Sequence, residues 1–259
     1  MEKINTKLVL QFVIGTFVLS WLAWGIIIFA DLEYGTPLFM TLYGVVGGLS
    51  PMIVVFTLLI KNKIMPAKQL FKTIFAVKQP VIMYLCVIGF LVLYFGASAL
   101  LGIVDYAQPI YLSLLMFPFM MVGGGLEEVG WRFLFQPSLE RKLSFIPAST
   151  IIAIIWITWH LPLFFIKGTH QYTWNFILWA LMVFGFCFIL GAIHHLSKSV
   201  WLCIFFHTLI NCLTESFMPN NLENFAQGII PQTILTVVCI TVSIAVVVIV
   251  KKRGDYNQK

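Results

Sequence analysis

Glu127 and Glu128 stand side by side in the string Gly-Gly-Gly-Leu-Glu-Glu-Val-Gly-Trp-Arg, residues 123 to 132, inside an apolar run that begins near Ile110. Two later apolar runs each hold a histidine well inside them: His160, and His207 with Asn211 four residues further on. A charged side chain near the centre of a bilayer costs roughly 2.5–3.5 kcal/mol on insertion scales. Three runs that place carboxylates, imidazoles and a carboxamide inside them point to a site within the membrane. The chemistry open to such a set is hydrolysis. A carboxylate or imidazole takes a proton from water, and N–H donors stabilise the oxyanion that follows.

Spacing assigns the groups further. Glu128 and Arg132 are four apart, one helical turn, and can pair. That pairing leaves Glu127 free to work. The bland alternative is a buried ion pair that locks helices together, with each histidine merely hydrogen-bonded to a neighbouring helix. His160 closes the string Trp156-Ile-Thr-Trp-His-Leu-Pro162, and the proline frees backbone groups beside it. At about 1.5 Å rise per residue, Glu127, His160, His207 and Asn211 all fall in the middle zone of a core about 30 Å thick.

Two mechanisms remain open. In one, Zn²⁺ is held by His160, His207 and Glu127, since two histidines and a glutamate form a known catalytic zinc set. In the other there is no metal or other cofactor. Glu127, oriented by His160, deprotonates water, and His207 and Asn211 donate to the oxyanion. A carboxamide is an uncommon zinc ligand and a good oxyanion donor, and no His-Glu-x-x-His helix is present. The metal-free version is the expectation. His170, His194 and His195 lie at span ends or in loops and receive no chemical role.

The elements that position these groups follow from composition. Of 259 residues, 60% are hydrophobic and 10% charged, against about 25% charged in soluble domains, and mean hydropathy is +0.97. This is a membrane protein. The net charge of +6 does not indicate a nucleic-acid partner, because the basic residues cluster between apolar runs. The five cysteines fall within apolar segments without paired spacing, and read as small core residues. The expected fold class is an all-α integral membrane protein, one polytopic domain over 1–259 with a polar intramembrane cavity and a motif-bearing core at about 110–216.

Eight runs approach the length of about 20 residues that spanning requires: 8–30, 38–60, 80–104, 110–136, 145–166, 174–195, 199–216 and 230–250. The first is too long for the apolar part of a signal peptide and reads as a retained span. With an even number of spans and a cytoplasmic N-terminus, inner segments hold 14 of the 16 basic residues. The outer segments then hold Lys167 alone, so both termini are expected in the cytoplasm. In the inner loop, Leu70, Phe71, Ile74 and Phe75 share one helical face opposite Lys68, Gln69 and Lys72, an amphipathic helix on the inner leaflet. No pair of broken half-helices in matching positions is visible, which weighs against a transporter.

Glu-Glu-x-x-x-Arg, aromatic-x-x-x-His and His-x-x-x-Asn on three successive motif-bearing runs resemble the CPBP intramembrane endopeptidases. That family includes the type II CAAX prenyl endopeptidases and bacterial proteins linked to bacteriocin processing and self-immunity. The resemblance implies that Glu127, Glu128, Arg132, His160, His207 and Asn211 are the site residues. It also implies a peptidase in a bacterial plasma membrane, with membrane lipid and a prenylated or bacteriocin-like peptide or protein as partners. The alternative is a non-catalytic immunity or scaffold protein using the same cavity. Trp156 stands where the family usually has Phe, and Phe133 where many members have Gly. The C-terminal Asp-Tyr-Asn-Gln-Lys is not a CAAX box.

Overall fold

The computed structural model describes residues 5–256; Lys3 and Lys259 of the charge count, and the last three residues of the C-terminal string, lie outside them. In hydrocarbon every backbone N–H and C=O must be satisfied within the protein, so uninterrupted apolar runs become helices. The chain runs through α1 (Thr6–Phe29), α2 (Pro37–Met40), α3 (Ser50–Lys61), α4 (Ala67–Ile74), α5 (Val81–Leu100) and a short strand β1 (Val104–Tyr106). Then come α6 (Ile110–Leu115), α7 (Phe117–Gly123), α8 (Gln136–Glu140), α9 (Phe145–Trp159), α10 (His170–Thr173), α11 (Phe176–Ser197) and α12 (Val200–Ser216). Strand β2 (Phe217–Pro219) pairs antiparallel with β1, Asp105 opposite Met218, before α13 (Phe225–Tyr256).

Among the described residues, five helices are long and apolar enough to cross a membrane, or six if one bent pair counts as a single span. Three of the eight expected spans are shorter or less regular than one continuous helix. Residues 38–60 are not one helix: Thr41–Gly48 is π-helical and meets α3 at a bend of 53°. The break follows Gly47-Gly48 and precedes Pro51, where helix propensity is lowest. Residues 110–136 are interrupted repeatedly: α6 and α7 are followed by a 3-10 turn at Gly125–Glu127 and a π-helical stretch at Val129–Phe135. Three consecutive glycines, and prolines at positions 118 and 137, remove the propensity and donors that a regular helix needs. Finally, α12 has only 17 residues. Irregular backbone at membrane depth is tolerated where protein or a polar cavity satisfies it, so the interruptions fall on the motif-bearing segments. No pair of broken half-helices in matching positions was visible in the sequence; among the described residues two segments are interrupted.

Helix α11 is the centre of the bundle, with 67% of its span window buried. It packs on α9 and α13 and also meets α5 and α12. Helix α12 in turn packs on α5, α6, α7 and the Gly125–Glu127 turn. The amphipathic helix is present as α4: Leu70 and Ile74 are fully buried, and Lys68, Gln69 and Lys72 are exposed. Phe71 and Phe75 are exposed on the same side. The molecule is an all-α integral membrane protein apart from the β1–β2 ladder.

Candidate active site

Glycine makes the site possible. A Cβ on Gly124 would overlap the amide nitrogen of Asn211 and lie 3.3 Å from His207 Nε2. A Cβ on Gly125 would overlap the Thr208 hydroxyl and lie 3.1 Å from the Ile204 carbonyl oxygen. Without side chains there, the turn carrying the glutamates sits directly on α12.

Glu128 is fully used by this contact. Its Oε1 faces His207 Nδ1 at 2.8 Å, and its Oε2 accepts from Arg132 Nε at 2.8 Å. Arg132 is completely buried and its other nitrogens are also engaged: Nη1 donates to Gln136 Oε1 at 3.1 Å and Nη2 to Cys187 Sγ at 3.4 Å. Gln136 Nε2 then donates to Glu140 Oε1 at 2.7 Å and to the Gly191 carbonyl at 3.0 Å. Glu128, Arg132, Gln136 and Glu140 are each four residues apart and form a continuous polar ladder through the bundle. A buried charge is tolerated only when paired and hydrogen-bonded in this way. Cys187, read from the sequence as a plain core residue, is one of the ladder's partners.

Glu127 is held differently. Its Oε2 accepts from the Trp156 indole N–H at 3.0 Å, and His160 Nε2 lies 4.0 Å from the same oxygen. His160 caps the end of α9, just before the 3-10 turn Leu161–Phe165 that Pro162 initiates. Its Nδ1 is 2.8 Å from the Trp156 carbonyl oxygen. A carbonyl only accepts, so Nδ1 carries the hydrogen, and Nε2 is the ring nitrogen that faces Glu127. His207 is oriented by the same logic, with Nδ1 donating to Glu128 and Nε2 left facing Gly124. Trp156, Trp159 and Trp179 wall His160, with ring centroids at 5.4, 4.5 and 5.1 Å. Trp156 also packs edge-on against His207 at 5.4 Å, and so stands between the two imidazoles.

Asn211 is half-buried, and no hydrogen bond within the described residues engages its carboxamide. Its amide nitrogen and His207 Nε2 lie next to each other over Gly124. All six residues singled out in the sequence thus fall in two connected groups: Glu127 with His160 through Trp156, and Glu128, Arg132 and His207 with Asn211 beside them. Among the described residues, no three His, Cys, Asp or Glu side chains are gathered so as to hold a metal ion. Sequence reasoning missed the indole N–H of Trp156, which was noted only as an aromatic. It also missed Gln136, Glu140 and Cys187, although the four-residue spacing was there to be read. His195, given no chemical role, contacts Glu140 at 3.2 Å.

The arrangement has relatives. Residues 109–213 match the family described as type II CAAX prenyl endopeptidase Rce1-like. A protein of Methanococcus maripaludis named CAAX prenyl protease 2 is 31% identical over 122 residues, 43% of this chain and 41% of that relative. The chain therefore spans about two fifths of the length of the curated relative it matches. Residues 109–213, which hold Glu127, Glu128, Arg132, His160, His207 and Asn211, are thus similar to that endopeptidase family.

Proposed function

We propose that this protein hydrolyses a peptide bond of a membrane-associated peptide or protein, with Glu127 and His160 activating water. The observation that carries the proposal is the 4.0 Å approach of His160 Nε2 to Glu127 Oε2; the ring is taken as neutral, with its hydrogen on Nδ1. Both atoms accept hydrogen bonds. A water about 2.8 Å from each donates both hydrogens at an angle of about 90°, near its own H–O–H angle, and its oxygen lone pairs then point away from both bases toward a substrate carbonyl. Glu127 takes the proton as the C–O bond forms and the carbonyl opens to the oxyanion, and it returns that proton to the amine nitrogen as the oxyanion collapses and the C–N bond breaks.

The tetrahedral oxyanion is assigned to the space over Gly124, where Asn211 Nδ2 donates. For His207 to donate there as well, its ring carries both protons, and Glu128 is the counter-charge within hydrogen-bond distance. Glu128 and Arg132 position His207 and do not touch substrate. No step in this scheme requires a metal, and Zn²⁺ on His160, His207 and Glu127 is the competing version. The relative's name makes a prenylated C-terminal peptide the first substrate to try, and a bacteriocin-like peptide the second.

The experiment is cleavage of labelled peptides of both kinds by the purified full-length protein, beside Glu127→Ala. The proposal expects cleavage that the variant loses. Equal cleavage by both proteins, or peptide binding by the wild type with no cleavage of any candidate, would favour the non-catalytic immunity or scaffold reading.

A further inference from the structure

The Glu127 carboxylate needs donors. Arg132, the cation of the same segment, is taken by Glu128, Gln136 and Cys187. His160 stands off at 4.0 Å, and the Trp156 indole donates to Oε2. Among the described residues, Oε1 has no hydrogen-bond partner. A carboxylate that takes a proton from water is ionised beforehand. A buried ionised group is costly unless hydrogen-bond donors replace the water it has lost.

A second indole stands close by. Trp131 follows Glu127 by four residues, about one helical turn. Its ring is completely buried and is held by Phe12, Phe135 and Trp159, with centroids at 5.4, 6.2 and 5.7 Å. Trp159 in turn lies against His160 at 4.5 Å, so Trp131 belongs to the aromatic wall of the site. Gly130 fixes the backbone beside it, because a Cβ there would overlap Phe12 and Pro51.

The ring N–H of Trp131 differs from its neighbours. The indoles of Trp21, Trp24, Trp156, Trp159 and Trp201 all donate hydrogen bonds. Trp131 Nε1 is buried and has no partner at hydrogen-bond distance among the described residues. Buried donors in native structures are almost always satisfied. Solvent does not reach this one, so its acceptor comes from the protein. The Trp131 N–H already acts on the Glu127 carboxylate alongside the Trp156 N–H, from just beyond hydrogen-bond distance. We propose, on the reading of Glu127 as the base, that Trp131 is a positioning residue: its indole N–H closes on the carboxylate, and two indoles, those of Trp131 and Trp156, hold the base in place of a cation. The Trp131 ring is locked by its neighbours, so a small rotation of the Glu127 side chain completes the contact.

The test uses the full-length protein in detergent with isotope-labelled indoles, read by their N–H resonances, which move downfield when the N–H enters a charge-assisted hydrogen bond. Trp131→Phe identifies the Trp131 signal by its loss. Should that variant not fold, Phe variants of the other seven of the eight tryptophans identify it by elimination. Glu127→Gln keeps the size of the side chain and removes its charge. It is expected to move the Trp131 and Trp156 signals upfield together. A Trp131 signal that stays in place while the Trp156 signal moves overturns the proposal. In peptide cleavage, Trp131→Phe should lower kcat roughly ten-fold with KM little changed, and an unchanged kcat in a folded variant overturns it as well. Wild-type protein that cleaves no candidate peptide would end the reading of Glu127 as the base, whereas the resonance shift reports the contact with or without activity.

Discussion

The indole N–H of Trp156 donates to Glu127 Oε2 at 3.0 Å, while the carbonyl of the same residue accepts from His160 Nδ1 at 2.8 Å. One residue therefore orients both groups assigned to water activation. Phe at this position can supply the ring and the carbonyl but not the N–H. Hydrogen bonds to charged groups contribute about 1.5–3 kcal/mol. Trp156→Phe is expected to keep the fold and lower kcat by roughly ten-fold, the effect of about 1.4 kcal/mol, with KM little changed. Peptide-cleavage kinetics beside a melting curve would check it. An unchanged kcat would reduce Trp156 to packing.

Arg132 and Glu128 are both fully buried, and each is the other's charge partner. Arg132→Ala leaves a buried carboxylate uncompensated, a change that costs about 3–5 kcal/mol. It should lower both the melting temperature in detergent and the activity. The double variant Glu128→Leu with Arg132→Met removes both charges and should recover much of the stability. It should not recover activity, because His207 Nδ1 then loses the acceptor that orients it. Equal recovery of stability and activity would show that the pair only holds the bundle together.

The spacing of Glu128 and Arg132 was legible because an i, i+4 pair survives modest distortion of a helix. The grouping of Glu127 with His160, and of His207 with Asn211, was legible because few polar residues occur inside the apolar runs. The local backbone was not. Hydropathy counts apolar residues, and 110–136 is apolar enough for one helix; its glycines and prolines weaken that helix, and the contact of Gly124 and Gly125 with α12 accompanies the 3-10 turn and π-helical stretch found there. That contact is tertiary and has no local signature beyond the glycines. The direction of the Trp156 indole was equally hidden, since an aromatic at that position reads as packing until its N–H is seen on Glu127. The ladder through Gln136 to Glu140 was visible as a period of four, but only the burial of Arg132 gives that period a meaning.

Orientation in the membrane rests on charge. The segments assigned to the inner side hold 14 of the 16 basic residues, and on the positive-inside rule both termini are expected in the cytoplasm. Single cysteines introduced at Asn5 and Tyr256, in a background without the five native cysteines, should resist a membrane-impermeant thiol reagent in intact cells and react after lysis. A cysteine at Lys167 should react in intact cells. Labelling of either terminus from outside would overturn the orientation.

Asn211→Asp separates the two mechanisms. Asn211 Nδ2 lies over Gly124 beside His207 Nε2, and no described residue uses its hydrogens. If the carboxamide donates to the oxyanion, its loss in Asn211→Ala should cost about 2.7–4 kcal/mol, or 10²–10³ in kcat. Asp at this position is close in size but replaces the donor with an acceptor, and an ionised one puts negative charge where negative charge develops. Activity should then fall at least as far as in Asn211→Ala, with substrate affinity affected less than kcat. Beside a zinc ion the expectation reverses, because a carboxylate is an ordinary zinc ligand and Asn211→Asp would keep substantial activity. A chelator supplies the independent arm. Activity that withstands exhaustive chelation, together with an inactive Asn211→Asp, supports the metal-free route. Activity that chelation removes and Zn²⁺ restores, together with an active Asn211→Asp, would assign His160, His207 and Glu127 to a metal instead.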